Sequence, residues 1–204
     1  NHGLSTLAEL RNDGHGVMTQ MPSIALGFQP VAIAAADLDG NGTVDLATAG
    51  AIDSTVMLLW GDGTGAFPTS STVVVGPGVQ HIAAADLNQD ARADLVVCKG
   101  PYLNPACECF PKNSVAVLLA VSSGGFLPRV DLMAGGAPIA SAIADVTFDG
   151  FPDIAVANSN SNTVSIFVGH GDGSFQPATH YGVSGRPMAI AIGDIAGDGL
   201  LDIV

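Results

Sequence analysis

Oxygen-bearing side chains alternate along one nine-residue segment of the chain, DLDGNGTVD. The ligand candidates at its positions 1, 3, 5, 7 and 9 are Asp37, Asp39, Asn41, Thr43 (through its backbone carbonyl) and Asp45. A hard cation such as Ca²⁺ takes roughly six to eight oxygen ligands, and a tight loop with alternating donors supplies them. Gly40 and Gly42 permit the left-handed backbone that such a loop needs. The segment therefore predicts a Ca²⁺ loop.

Three later segments repeat this pattern in the same register, with position 7 again contributing a backbone carbonyl. The candidates are Asp86, Asn88, Asp90, Arg92 and Asp94 in the second loop; Asp145, Thr147, Asp149, Phe151 and Asp153 in the third; and Asp194, Asp198, Leu200 and Asp202 in the fourth. In the fourth loop Ala196 provides no side-chain ligand at position 3. Asp, Asn and Gly also dominate ordinary turns, so a metal-free turn is the alternative for each loop.

The spacing of the loops indicates a repeat architecture. Their first aspartates are separated by 49, 59 and 49 residues, and a period of this size is typical of repeat proteins. A second landmark, the residue that follows each glycine-rich turn, keeps the same spacing at Met18, Phe67, Phe126 and Phe175. Each unit then contains a strand before the loop, a strand after it and a hairpin. Four-stranded sheets at about 50-residue spacing predict an all-β fold, a β-propeller of antiparallel blades.

The strands of one unit differ in composition. The first three are nearly continuous apolar runs (VAIAAA, DLATA and TVMLLW in the first unit), which predicts sheets covered on both faces. The fourth strand is more polar, as expected of an outer edge.

The repeats divide the chain into complete and half units within one propeller domain or propeller segment. The half repeat 1–29 contributes two predicted strands, Leu7 to Arg11 and Met18 to Leu26, and is followed by repeats 30–78, 79–137 and 138–186 and a half repeat 187–204. The half units are complementary, so they could close a four-bladed ring, or two copies could associate through them into a larger ring. We favour a third arrangement, a segment of a longer propeller such as a seven-bladed ring. We expect a mature segment or a fragment because the chain starts with Asn1 and shows no signal peptide.

Charge and hydropathy exclude two classes of partner. The net charge is −13, and 12 of the 19 acidic residues lie in the four loops. The six Lys and Arg residues are scattered, which excludes a nucleic-acid partner. No run of about 18 apolar residues exists, so no membrane insertion is predicted.

Three cysteines surround an insertion of about ten residues in the second complete repeat. Cys98 ends the strand before it, and Cys107 and Cys109 lie within it. A disulfide from Cys98 to one of the pair is the first interpretation, and free thiols or a metal site are the alternatives.

The segments VAIAAADLDGNGTVDLATA and NTVSIFVGHGDGSF resemble the FG-GAP or VCBS repeats of integrin-α-type β-propellers, and the resemblance covers essentially the whole chain. It implies a propeller, commonly seven-bladed, on a secreted or cell-surface protein, with Ca²⁺ in the loops of one rim and ligand contacts on the opposite rim. Departures are Ala91 in place of the usual glycine, and Thr147 and Ala196 at position 3. We therefore expect the first loop to bind Ca²⁺ most tightly and the fourth most weakly.

The function expected from these features is a non-catalytic, calcium-binding extracellular scaffold for recognition of protein or glycan, as in adhesion. No nucleophile-elbow, zincin or P-loop pattern is present, and carboxylates outside the loops are too few to suggest an acid–base pair. One alternative is the propeller portion of a secreted polysaccharide-degrading enzyme. Another is a spacer domain in a long surface protein.

Overall fold

A computed structural model of the chain describes residues 5–50, 52–101, 113–122 and 124–204. The regular structure of these residues is entirely β-strand. Because they form no helix, none of the described segments can cross a membrane as an apolar helix.

The strands follow the predicted units. The first half unit contains β1 (Thr6–Leu7), β2 (Leu10–Asn12), β3 (Met18–Gln20) and β4 (Ile24–Ala25). The first complete unit contains β5 (Pro30–Ala36), β6 (Asp45–Gly50), β7 (Thr55–Trp60) and β8 (Thr69–Val74). The second contains β9 (Val79–Ala85), β10 (Asp94–Lys99), β11 (Ser114–Leu118), β12 (Ala120–Val121), β13 (Gly125–Phe126) and β14 (Val130–Met133). The third contains β15 (Pro138–Ala144), β16 (Asp153–Asn158), β17 (Thr163–Phe167) and β18 (Thr179–Gly182), and the last half unit contains β19 (Ile192–Gly193) and β20 (Asp202–Ile203).

Each complete unit forms one four-stranded antiparallel sheet, as predicted. The strand orders are β5-β6-β7-β8, β9-β10-β11-β14 and β15-β16-β17-β18. The first strands of successive units lie next to one another, β5 beside β9, β9 beside β15 and β15 beside β19. This arrangement, with first strands inside and polar fourth strands at the outer edges, is that of propeller blades.

The first half unit differs from the prediction of two continuous strands. It forms two short ladders, β1 with β4 and β2 with β3, because both predicted strands are interrupted. Pro22 lies in the gap between β3 and β4, and a proline has no N–H to donate to a ladder. Pro177 likewise precedes β18, which starts at Thr179, four residues after Phe175, the residue that follows the glycine-rich turn.

Burial on both faces is confirmed for the second strands and is wrong for the first strand of the first blade. Every residue of β10 and β16 is buried. In β5, partly buried and exposed residues alternate, and Ile33 is 50% exposed. The inner strand therefore leaves one face uncovered although its composition is apolar.

Alternate side chains of β10 enter two different cores. Leu95 and Val97 pack with residues of the first blade, whereas Val96 and Cys98 pack with residues of the third. Successive side chains of a strand point to opposite faces. The near-continuous apolar run of β10 is explained by this double packing.

A buried lysine connects the first two blades. The ammonium group of Lys99 is paired with Asp131 of β14 and donates to the carbonyl of Val75 at 3.3 Å, and the Lys99 side chain is 1% exposed. Arg129 binds the other oxygen of Asp131 at 2.8 Å and donates to the carbonyl of Val74 at 3.3 Å. Two cations and one carboxylate therefore hold the end of β8 against β14.

His81 of β9 connects the inner strands of the second and third blades. The backbone N–H of Ser141 donates to its Nδ1 at 3.3 Å, and the Ser141 hydroxyl lies 3.1 Å from the same atom. A nitrogen that accepts an N–H bond belongs to a neutral imidazole. Burial lowers the pKa of His81 below its usual 6.5, which also favours the neutral form.

We expect the metal-free protein to lose stability as the pH falls through about 6.5, where the unfolded chain takes up a proton at residue 81 that the folded chain resists. Urea unfolding between about pH 7.5 and 5.5 measures this dependence, and His81→Gln, which keeps an acceptor for Ser141, should flatten it.

The pKa of Asp94, which burial raises to about 6, acts in the opposite direction over the lower part of this range. It acts equally in both proteins, so the difference between their pH profiles isolates His81. Identical profiles for the wild type and His81→Gln would contradict the assignment.

Candidate metal centre

The first loop brings three carboxylates together. One oxygen each of Asp37, Asp39 and Asp45 lies within 4.8 Å of the other two, and among the described parts of the chain this is the single trio of His, Cys, Asp or Glu with such spacing. Calcium–oxygen distances are about 2.3–2.6 Å, so ligands on opposite sides of an ion are roughly 5 Å apart. The donor set of the first loop therefore fits a hard cation.

All four loops share one backbone conformation. Positions 4 and 6 are left-handed in every loop, with φ between 58° and 91°, at Gly40 and Gly42, Gln89 and Ala91, Phe148 and Gly150, and Gly197 and Gly199. Ala91 therefore adopts the conformation of the glycine that it replaces. Three residues with a Cβ in this sparsely allowed region indicate that other contacts hold the loops in shape.

The first aspartate of each loop supplies those contacts. One oxygen of Asp37, Asp86, Asp145 and Asp194 accepts the N–H of position 6 at 2.8–3.0 Å, and the other accepts the N–H of position 5 at 3.1 Å. These bonds let the loop close around its own carboxylate. They are equally compatible with a metal-bound loop and with an Asp-rich turn.

The last aspartate of the loop in each complete unit has a role that the sequence analysis did not include. Asp45 accepts the N–H of Leu38 at 3.0 Å with one oxygen and the N–H of Gly61, at the end of β7, at 2.8 Å with the other. Asp45 is 0% exposed. Its carboxylate therefore joins the loop to the third strand of the blade, and a cation would have to share its oxygens.

The second and third blades repeat this connection. Asp94 accepts from Leu87 at 2.9 Å and Ala120 at 2.7 Å. Asp153 accepts from Val146 at 3.0 Å and Gly169 at 2.9 Å. Asp202 accepts from Ile195 at 2.9 Å and Ala196 at 3.0 Å through one oxygen.

A sequence signal for this connection exists in two blades. The donor residues Gly61 and Gly169 are the first glycines of the glycine-rich turns. A Cβ on Gly61 would lie 2.1 Å from the carbonyl oxygen of Val44, and one on Gly169 would lie 2.2 Å from that of Pro152. Glycine at these positions lets the third strand approach the end of the loop.

The carboxyl of Asp94 has an unusual affinity for protons. Burial, together with the nearby charges of Asp90 and Asp86, raises its pKa to about 6, despite the hydrogen bonds from Ala120 and Leu87. An opposite charge close to a carboxyl favours its ionised form. Burial disfavours the ionised form of Asp94. A cation in the second loop would stabilise this form, and the ionised carboxylate would in turn attract the cation.

The second loop contains an acceptor oxygen without a described hydrogen-bond partner and also a positively charged side chain. The buried Oδ1 of Asn88, at the position that corresponds to Asp39, has no hydrogen-bond partner among the described residues. An orphaned oxygen at a predicted ligand position fits a bound cation. However, the guanidinium of Arg92 binds Asp90 at 2.6 Å and already neutralises part of the loop.

The third and fourth loops offer fewer donors. Thr147 donates its hydroxyl to Asp153 at 3.2 Å, and Ala196 has no donor. The position-5 residues Asp149 and Asp198 each accept the N–H two residues later at 2.9 Å. Binding of a cation by these side chains, and by the carbonyls of Thr43, Arg92, Phe151 and Leu200, stays a prediction.

The predicted disulfide falls largely outside the described residues. Cys107 and Cys109 lie in the segment 102–112, which the structure does not describe. Cys98 is fully buried in β10 and is not disulfide-bonded to any described residue; as a thiol, its pKa would be raised by burial to about 12. A pairing of Cys98 with Cys107 or Cys109 stays a prediction.

Comparison with known proteins supports the repeat assignment. Residues 145–204 match the model of the FG-GAP-like repeat, and the match starts at the first aspartate of the third loop. No curated protein sequence matches the chain.

Solved structures of similar shape cover nearly the whole chain. A lectin of Agrocybe aegerita, whose structure concerns specific recognition of non-reducing terminal N-acetylglucosamine, has a TM-score of 0.65 and 22% identity over 99% of this chain and 55% of its own. BBS1N, solved in complex with ARL6DN, has a TM-score of 0.58 and 15% identity over 84% of this chain and 49% of its own. A protein of unknown function from Bacteroides caccae has a TM-score of 0.54 and 14% identity over 95% of this chain and 60% of its own.

At these identities the likeness shows the fold, and the chain spans about half to three-fifths of the length of each structure. Three successive four-stranded blades, the loop pattern that they share and the matched repeat lead to the same assignment. The chain has a β-propeller fold, and its residues 145–204 match the FG-GAP-like repeat.

Proposed function

We propose that this propeller is a calcium-binding, non-catalytic scaffold that recognises protein or glycan ligands outside the cell. The observation that carries the proposal is the convergence of the Asp37, Asp39 and Asp45 carboxylates within 4.8 Å in the first loop. Like charges this close repel one another, and a divalent cation relieves the repulsion.

The chemistry of the donors favours Ca²⁺ over other metals. The loop offers carboxylate, amide and carbonyl oxygens and no nitrogen or sulfur ligand, which is the preference of hard cations. Ca²⁺ accepts flexible geometry and many protein ligands, whereas Mg²⁺ usually keeps several waters. When bound, Ca²⁺ would supply positive charge that holds the loop carboxylates together.

An extracellular location agrees with this kind of site. Extracellular calcium modules bind with Kd on the order of 10⁻⁴ to 10⁻³ M, which suits the calcium concentration outside cells. The resemblance to FG-GAP propellers of secreted and surface proteins supports the same location.

A recognition role is supported by the structural neighbours. One is a lectin specific for terminal N-acetylglucosamine, and another is a propeller solved in complex with a protein partner. Propellers present rims of loops that can vary while the blades stay constant. We propose that the rim opposite the calcium loops carries the ligand contacts.

A non-catalytic role is supported by the structural contacts of four of the seven acids outside the loops. Glu9 is paired with Arg11, Asp131 with Lys99 and Arg129, and Asp62 and Asp172 cap their own turns. The alternative of a polysaccharide-degrading enzyme needs a pair of carboxyls placed around a bond. Turnover of polysaccharide by the purified protein would support that alternative.

The test is a calcium titration with a matched pair of variants. Calcium should raise the melting temperature of the wild type, and each saturated site should add about 2.7 kcal/mol at a hundredfold excess over its Kd. Asp39→Asn removes one ligand charge but keeps a ligand oxygen, as Asn88 does in the second loop, and should weaken the contribution of the first loop. Asp62→Asn removes the same charge from an exposed turn that binds no ion and should keep the full response.

Calorimetric titration of the same proteins would count the sites directly. An unchanged melting temperature in EDTA and in excess calcium would show that the loops are turns only. An equal loss of response in both variants would show a general charge effect instead of a site.

A further inference from the structure

Among the residues that the structure describes, one arginine forms no ion pair with a carboxylate. Arg11, Arg92, Lys99 and Arg129 each form an ion pair. Among the described residues, Arg186 is the remaining cation, and its printed polar contact is with a neutral group, the Oδ1 of Asn160 at 2.6 Å. Arg186 is exposed, so its guanidinium is accessible to a ligand from solution.

Arg186 lies at the end of the blades away from the carboxylate loops. The loops connect first strands to second strands, whereas Arg186 precedes the inner strand of the last unit and Asn160 follows the end of β16. The seven residues of β15 span roughly 20 Å at about 3.3 Å per residue. The loop carboxylates are therefore too distant to neutralise this arginine.

Arg186 and Asn160 line a cavity of about 470 Å³ together with side chains of three successive units. Gln80, Ile139 and Met188 contribute to its wall and occupy equivalent positions, separated by 59 and 49 residues. Small-molecule sites typically have volumes of about 300–1,000 Å³. The cavity thus has the size of a site for one sugar ring or a molecule of similar size.

The two residues Arg186 and Asn160 of this cavity do not recur at the equivalent positions of the other units. The residues equivalent to Arg186 in the preceding units are Ala137, Gly78 and Gln29, and the residue equivalent to Asn160 in the second unit is Pro101. Features that the blades need recur in every unit, as the loop aspartates do. The pair Arg186–Asn160 does not recur, so blade structure does not account for it.

Asn160, the hydrogen-bond partner of Arg186, is held by a backbone contact. The N–H of Asn160 donates to the carbonyl of Gly136 at 2.9 Å, which fixes its backbone next to the start of β15. Ser159 lies 3.7 Å from the sulfur of Met188 and connects β16 to the last unit. The guanidinium uses one of its five N–H groups on Asn160, and its planar fork matches a carboxylate.

We propose that this cavity binds the carboxylate of an acidic sugar residue, of the uronic or sialic acid type. This inference rests on the recognition function proposed above. Arg186 would pair with the carboxylate, Gln80 would bond to a hydroxyl, and Met188 and Ile139 would contact the apolar face of the ring. A polyacidic peptide is disfavoured, because the net charge of −13 repels a dense polyanion whereas a single cation in a small cavity suits one isolated carboxylate.

The test compares galacturonic acid and N-acetylneuraminic acid, which each carry one carboxylate, with neutral probes, namely the methyl ester of galacturonic acid and N-acetylglucosamine. Binding to the wild type, measured by NMR titration at roughly millimolar probe concentration, should favour the acids and weaken with salt. Arg186→Gln should lose about tenfold or more in affinity for the acids, as expected for a charge-assisted hydrogen bond. The matched variant Arg11→Gln, which removes an equal charge from the first half unit, should bind like the wild type.

The outcomes separate this inference from the proposed function. Equal binding of acid and ester, binding unchanged by Arg186→Gln, preference for a polyglutamate peptide, or no binding of any acid would overturn the acidic-sugar site. Neutral-sugar or protein binding that survives Arg186→Gln would leave the recognition function standing without this site. A thermal melt of Arg186→Gln that matches the wild type shows that the exposed variant is folded.

Discussion

Replacement of Asp153 by alanine is expected to destabilise the protein by about 3–5 kcal/mol even in EDTA. The carboxylate is 1% exposed and accepts bonds from the N–H groups of Val146, Thr147 and Gly169 and from the Thr147 hydroxyl. Without it, the buried N–H of Gly169 and the partly buried N–H of Val146 lose their acceptor, whereas the exposed donors of Thr147 can bond to water. Each unsatisfied buried donor costs on the order of 1–3 kcal/mol, although the costs are not additive. Urea unfolding in metal-free buffer measures the loss.

Asp149→Ala in the same loop is the matched control. Asp149 is exposed and accepts the N–H of Phe151 at 2.9 Å within its own loop, so its loss should cost less than about 1 kcal/mol. Comparable stability of Asp153→Ala and Asp149→Ala in EDTA would show that position 9 serves the metal alone.

Replacement of Asp131 by alanine should likewise cost about 3–5 kcal/mol, because it leaves the ammonium group of Lys99 buried without its carboxylate. The double variant Lys99→Met with Asp131→Ala removes the buried charge as well and should recover most of the loss. Thermal or urea unfolding of both variants measures the effect.

The exposed pair of Arg11 and Glu9, at 3.0 Å with side chains 44% and 29% exposed, is the comparison. Glu9→Ala should cost less than about 1 kcal/mol, as exposed ion pairs do. The interpretation fails if Asp131→Ala is as mild as Glu9→Ala, or if the double variant is no more stable than the single one.

The blade architecture was predictable because its determinants are local in sequence. Aspartates and glycines at fixed spacing define each loop, and apolar runs on both sides define the strands. The backbone of the second loop could be inferred from its register alone, since Ala91 adopts the left-handed conformation of the glycine that it replaces.

Other features depend on contacts that no local pattern records. The donor to Asp45 is 16 residues away in Gly61, and the donor to Asp94 is 26 residues away in Ala120, so the double role of position 9 was not visible. Ile33 looks like a core residue by composition, yet it is half exposed on the inner strand. That Arg186 lacks a carboxylate partner among the described residues could be established only from the three-dimensional contacts of the described cations.

The packing of β10 against two blades has a consequence for the order in which the protein unfolds. The second blade packs against both of its neighbours, with one set of β10 side chains in contact with the first blade and the alternate set in contact with the third. The stability of the described blades then depends on interfaces between adjacent blades, as in other repeat proteins. We expect unfolding to start at the outermost units and to reach the second blade last.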